Sequence, residues 1–101
     1  MSDDRKRTSI RIIWSPQREV YRVKFTASEG TFHQVVSALK KIDFANRSYN
    51  SANREWSIAP SELETLRGIA TEFFDDAQLT EGSLTTNLHT GRVCEQLTLF
   101  P

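Results

Sequence analysis

One cysteine, four glycines, two histidines and a formal net charge of zero are what this sequence of 101 residues has least of, and each shortage excludes something. The lone Cys94 rules out an internal disulfide and fits a reducing cytoplasm. Gly30, Gly68, Gly82 and Gly91 stand too far apart to build a G-x-x-x-x-G-K-[ST] phosphate loop, so nucleotide hydrolysis of that type is excluded. His33 falls beside the apolar stripe of a predicted helix. His89 and Cys94 lie five apart without further ligands, too sparse for zinc. Asp75 and Asp76 are adjacent at a predicted helix end and point in different directions, a poor metal pair. No Ser-His-Asp arrangement follows from the spacing. Apolar runs stop at three or four residues, as in Ile12-Ile13-Trp14, far short of the roughly 20 that span a bilayer. The charged opening Asp3 to Arg7 leads into no apolar stretch, so a secretory signal is not expected. The expectation is a protein that is not an enzyme and has no cofactor, metal or membrane partner.

The residues present alternate, then become periodic. Ser9 to Trp14 reads as a strand with Ile10, Ile12 and Trp14 on one face, and Ser15-Pro16-Gln17-Arg18 has turn chemistry. Val20 to Phe25 alternates cleanly, Tyr21, Val23 and Phe25 facing one way and Arg22 and Lys24 the other. A helix follows, capped by Ser28 or Thr31, with Phe32, Val35, Val36, Leu39 and Ile42 on its apolar stripe. Phe44 to Tyr49 and Arg54 to Ile58 read as a second hairpin around Asn50-Ser51-Ala52-Asn53. A second helix starts near Pro60-Ser61, where Ser61 and Glu64 have capping-box spacing, and carries Leu63, Leu66, Ile69, Ala70 and Phe73 inward. The order ββαββα predicts a small α+β sandwich, one antiparallel sheet with two helices on one face.

Four segments follow from this reading: a disordered N-terminus over 1–8, a folded domain over 9–76, a flexible tether over 77–95 and an apolar end over 96–101. The tether is expected because Thr, Ser, Gln, Asn and Gly dominate it and Leu79, Leu84 and Leu88 follow no period. A short extra strand around Ala77 to Leu79 is the open alternative. Charge is unevenly placed: residues 1–60 hold eleven Lys and Arg against six acids, and residues 61–101 hold two against seven. The first part can present a basic face, or simply a solvated one.

The tether ends in Gln96-Leu97-Thr98-Leu99-Phe100-Pro101. Exposed leucine and phenylalanine need a cover, which packing back on the domain, pairing as an added edge strand or a partner can supply. Gln-Leu-x-Leu-Phe resembles the docking motif of clients of the bacterial DNA sliding clamp, and four fixed positions recur by chance on the order of once in tens of thousands of windows. The resemblance implies that Gln96, Leu97, Leu99 and Phe100 bind the clamp, the apolar side chains as anchors and the Gln96 amide setting register at the rim. It also implies a cytoplasmic, nucleoid-associated location.

Arg47-Ser48-Tyr49-Asn50 through Arg54-Glu55-Trp56 is similar to the R-x-Y-[ND]-x-x-x-[RK]-x-W stretch of HARP domains, small DNA-junction-binding modules of annealing helicases. No helicase motor accompanies it, so the resemblance implies a binding module without the engine. Lys40, Lys41, Arg47, Tyr49 and Arg54 are the candidate DNA contacts, because cations neutralise phosphates and an exposed ring stacks on an unpaired base. Trp56 and Ile58 are expected in the core. The functional expectation is a non-catalytic adaptor in replication or repair, recruited to the clamp by its tail, with a domain that meets DNA or a protein partner. The alternative is a phage- or plasmid-type clamp inhibitor competing with polymerases.

Overall fold

The two alternating stretches near the N-terminus pair as a hairpin. In the computed structural model, which describes residues 8–95, β1 (Ser9–Ser15) and β2 (Val20–Thr26) run antiparallel from Ser9↔Thr26 to Ser15↔Val20. Ile10, Ile12, Tyr21 and Val23 are buried on one side of the pair, and Arg11, Ile13 and Lys24 are exposed on the other. Residues 96–101, which carry the docking motif, lie outside the described residues, as do residues 1–7. Thr8, placed by its polar surroundings in the disordered N-terminus, is instead buried. Its Oγ1 accepts a hydrogen bond from the Asp75 N–H (2.9 Å) and its carbonyl accepts one from the Asp76 N–H (3.2 Å).

Helix α1 (Glu29–Leu39) has Ser28 at its N-cap, but the Ser28 hydroxyl meets Thr31 Oγ1 (3.3 Å) rather than a backbone N–H. Val35 and Leu39, then Ile42 after the helix, turn inward. The strand expected from Phe44 begins three residues late. Asp43 accepts a hydrogen bond from the Ala45 N–H (3.2 Å) and caps a short 3-10 turn, Phe44–Asn46, before β3 (Arg47–Asn50) pairs with β4 (Glu55–Ile58). Another 3-10 turn, Pro60–Glu62, leads into α2 (Leu63–Phe73). The Ser61–Glu64 capping box does not form, because Pro60 starts the coil early and Glu62 becomes the N-cap of α2. The Glu62 carboxylate accepts from Asn46 Nδ2 (2.9 Å) and so ties the two 3-10 turns together.

The expected ββαββα order is incomplete, and the sheet is not wholly antiparallel. Three further strands, β5 (Asp76–Glu81), β6 (Leu84–Asn87) and β7 (Val93–Glu95), occupy the stretch read as a tether. After α2 the chain returns beside β1 and pairs with it parallel, Ser9↔Asp76 to Ile13↔Thr80, giving a mixed seven-stranded sheet in the order β3-β4-β2-β1-β5-β6-β7. The segment's own pattern is weak because it turns only Ala77 and Leu79 fully inward. A preformed β1 edge and an apolar face waiting beneath supply what the local sequence lacks. Gly82, at φ 66°, opens the two-residue loop between β5 and β6, a position that strongly favours glycine. Thr80 and Thr85 share a hydroxyl hydrogen bond across that hairpin (3.0 Å).

Leu66, Ile69 and Ala70 of α2 join Val35 and Leu39 of α1 in one apolar cluster with the inward residues of the sheet, including Trp56 and Ile58. The α+β class and the placing of both helices on one face therefore stand. Among the described residues no helix is long and apolar enough to cross a membrane. Tyr21 on β2 reaches past β1 to donate a hydrogen bond to Glu81 Oε2 at the end of β5 (2.9 Å). Burial, aided by that bond and the Glu81 charge, pushes the Tyr21 hydroxyl up from 10.0 to about 12.

Two outcomes are expected. Leu79→Ala should lower unfolding free energy by about 2–4 kcal/mol in urea titration, the cost of a core leucine, whereas in a tether it would cost nothing. Between pH 10 and 12 the unfolded chain has released the Tyr21 proton and the folded chain has kept it. The contribution is therefore complete below pH 10 and fades as pH rises through about 12. An absorbance titration should show one tyrosine ionising late, and Glu81→Gln should bring it earlier.

Candidate functional site

An open gap lies between helix α1 and the β2, β4 and β3 side of the sheet. The gap is a groove of about 850 Å³ lined by five aromatic rings, those of Phe25, Phe32, Phe44, Tyr49 and Trp56. Sequence local to each element fixes these rings. Phe25 is the last inward residue of β2, and its ring centroid lies 5.6 Å from that of Phe32 on α1 and 5.6 Å from that of Phe74. Tyr49 and Trp56 face each other in the β3–β4 register, with centroids 4.9 Å apart at 48°. Trp56 is core, at 6% exposure, and Tyr49 is its half-exposed cover, at 49%. Phe44 sits on the 3-10 turn capped by Asp43 and is 79% exposed.

Three cations border these rings. Arg47 places its guanidinium carbon 5.6 Å from the Phe44 ring centroid, a cation–π distance. Its Nε donates to the Ile42 carbonyl (2.8 Å), which fixes the side chain. Arg54 closes the β3–β4 turn in the left-handed region at φ 55°, a conformation uncommon for a non-glycine residue. Lys40 is the C-cap of α1, where a cation also complements the helix dipole.

Among the described residues no carboxylate lines the groove. Asp43, beside Phe44, is exposed outside the lining, and Glu55, between Arg54 and Trp56, alternates to the opposite face of β4. There it is 4% exposed and accepts from Arg22 Nη2 (2.8 Å) and Nε (2.9 Å). Its charge is neutralised away from the groove, so Glu55 does not oppose the three cations.

Of the five DNA candidates, Lys40, Arg47, Tyr49 and Arg54 come together around this groove, and Lys41 is exposed but outside its lining. Gln96, Leu97, Leu99 and Phe100 lie outside the described residues. Phe25, Phe32 and Phe44 were missed. The apolar stripe of α1 predicts Phe32 buried, yet it lies on the first turn of the helix and stays 42% exposed. The available signal was Phe44 itself, a large ring directly after a capping Asp43 rather than inside an alternating run.

No protein-family model, curated protein or solved structure matches this chain. Its groove must be interpreted from its own chemistry. The outer face of the sheet offers a different surface, with Arg11 and Lys24 directly opposite each other in register and Ile13 beside them. The rings named above all belong to the helix side, so that outer face can meet phosphates but has no stacking platform. Among the described residues no three His, Cys, Asp or Glu side chains converge as a metal site. His89 Nε2 donates to the Phe74 carbonyl (2.6 Å), tying the β6–β7 loop to the end of α2.

The division between core and surface rings is testable by urea unfolding. Phe44→Ala should shift stability by no more than about 0.5 kcal/mol, as for a surface position. Trp56→Ala should cost about 3–5 kcal/mol.

Proposed function

We propose that this protein is a non-catalytic adaptor that docks on the bacterial DNA sliding clamp through Gln96, Leu97, Leu99 and Phe100 and touches DNA through its aromatic groove. One observation carries the domain's part of the reading: Lys40, Arg47, Tyr49 and Arg54 surround a single groove, with four further aromatic rings and, among the described residues, no carboxylate in its lining. Cations beside exposed rings are the combination that takes phosphates and bases together. The recruitment part rests on Gln96-Leu-x-Leu-Phe and its resemblance to clamp-docking peptides.

Because β6 and β7 take up residues 84–87 and 93–95, the peptide follows the folded domain without a spacer. Four residues beyond Glu95 reach only about 13–14 Å even when fully extended. A docked molecule therefore keeps its domain against the ring. The ring encircles DNA, so a weak groove gains effective concentration for DNA. The same closeness favours a second reading, a clamp inhibitor of phage or plasmid type, in which the domain covers the docking pocket and keeps polymerases out.

Three measurements test these readings. The full chain should bind a purified bacterial clamp with a Kd on the order of micromolar, and removal of residues 96–101 should abolish binding. Equal binding by both forms, or by neither, would end the recruitment reading. Arg47→Ala with Arg54→Ala should weaken DNA binding and reduce the slope of log affinity against log salt by about 1.4 for a single strand. An unchanged slope removes DNA contact from the groove. Clamp-dependent primer extension separates the two roles: an inhibitor stops it even with the double variant, and an adaptor does not.

A further inference from the structure

The groove exposes three large rings where a folded domain ordinarily hides them: Phe32 at 42%, Tyr49 at 49% and Phe44 at 79%. None of the three hangs free. Phe32 leans on Phe25, Tyr49 leans on the core residue Trp56, and Phe44 rides on a capped turn with Arg47 over its face. Rings braced in this way lose little further freedom when a ligand covers them, which lowers the entropic cost of binding.

The groove spans β3, β4 and the end of β2, and the described chain ends at β7, at the other edge of the sheet. Four inter-strand spacings separate β7 from β2, the nearest strand of the groove, about 19 Å. The five residues from Glu95 to Phe100 reach about 17–18 Å at full extension.

We propose that the groove receives an unpaired nucleotide, its base stacked on the exposed rings and its flanking phosphates held by Lys40, Arg47 and Arg54. This inference rests on the DNA-contact reading above and narrows it to single strands. The ligand must carry a flat ring and negative charge side by side, because the lining offers both partners within one groove of about 850 Å³ and no carboxylate among the described residues. A nucleotide brings that pair in every repeat unit. An acidic peptide must place an aromatic anchor between carboxylates to match it. Within a duplex the base faces are hidden in the stack, so Phe44 and Tyr49 have nothing to cover and only the cations bind. The groove therefore discriminates strand state, and its stacking contacts tolerate any base.

Fluorescence anisotropy of the full chain tests this with labelled oligothymidine of about twelve nucleotides, a duplex of the same length and a forked duplex. Oligothymidine should bind about tenfold more tightly than the duplex, and Phe44→Ala should lower that affinity about tenfold. Clamp binding through residues 96–100 should be unaffected, and the thermal midpoint should be kept. Tyr49→Ala should act in the same direction.

Duplex binding equal to or tighter than oligothymidine overturns the inference. So does duplex or fork binding that Arg47→Ala with Arg54→Ala weakens while Phe44→Ala does not, and in that case the broader DNA reading survives. Binding of none of the three probes removes both readings. If the protein instead binds a peptide of four glutamates around one tryptophan, lost in Phe44→Ala, while the oligonucleotides stay unbound, the groove belongs to a protein partner.

Discussion

β1 hydrogen-bonds along both of its edges, antiparallel to β2 and parallel to β5, and its Ile10 and Ile12 are almost wholly inaccessible to water. The other elements are arranged around this requirement. A hairpin partner fills one edge. The second edge is filled only when the chain has made the β3–β4 hairpin, crossed over as α2 and returned in the direction of β1. Parallel pairing needs such a crossover, and the crossover helix must pack on the sheet, so α2 joins α1 on the apolar face. Two helices of eleven residues each do not reach across seven strands. The groove lies between α1 and the β2, β4 and β3 side of the sheet.

Much of this was legible in the residues. Ile10, Ile12 and Trp14 on one face, and the clean alternation from Val20 to Phe25, placed the first hairpin and its buried face. The stripe of Leu63, Leu66, Ile69 and Ala70 placed α2. Trp56 and Ile58 were rightly assigned to the core. What failed has a common cause. β5, β6 and β7 carry few apolar side chains of their own, and a rule that asks each segment to supply its own burial misses strands completed by a neighbour. Capping failed in a related way. Ser61 and Glu64 have the spacing of a box, but Pro60 moved the start of the coil and gave the N-cap to Glu62.

The candidate site shows the same division. Charge and ring type picked out Lys40, Arg47, Tyr49 and Arg54 from a linear pattern, and those four share one groove. The three phenylalanines beside them were hidden by the assumption that a phenylalanine on a stripe is buried. Nor does the sequence reveal that Glu55 is harmless to the groove's charge. That depends on strand parity, which turns it to the far face, and on Arg22 at 2.8 Å.

The strand order also acts as a ruler. Six inter-strand spacings separate β3 from β7, about 29 Å of hydrogen-bonded sheet. The aromatic groove lies toward one end and the chain departs at the other. A hydrogen-bonded sheet resists in-plane stretching, so a molecule held at β7 carries its groove at a fixed standoff instead of sampling a cloud of positions. A contact made at the β7 edge therefore lies about that distance from the aromatic ring of Tyr49 on β3.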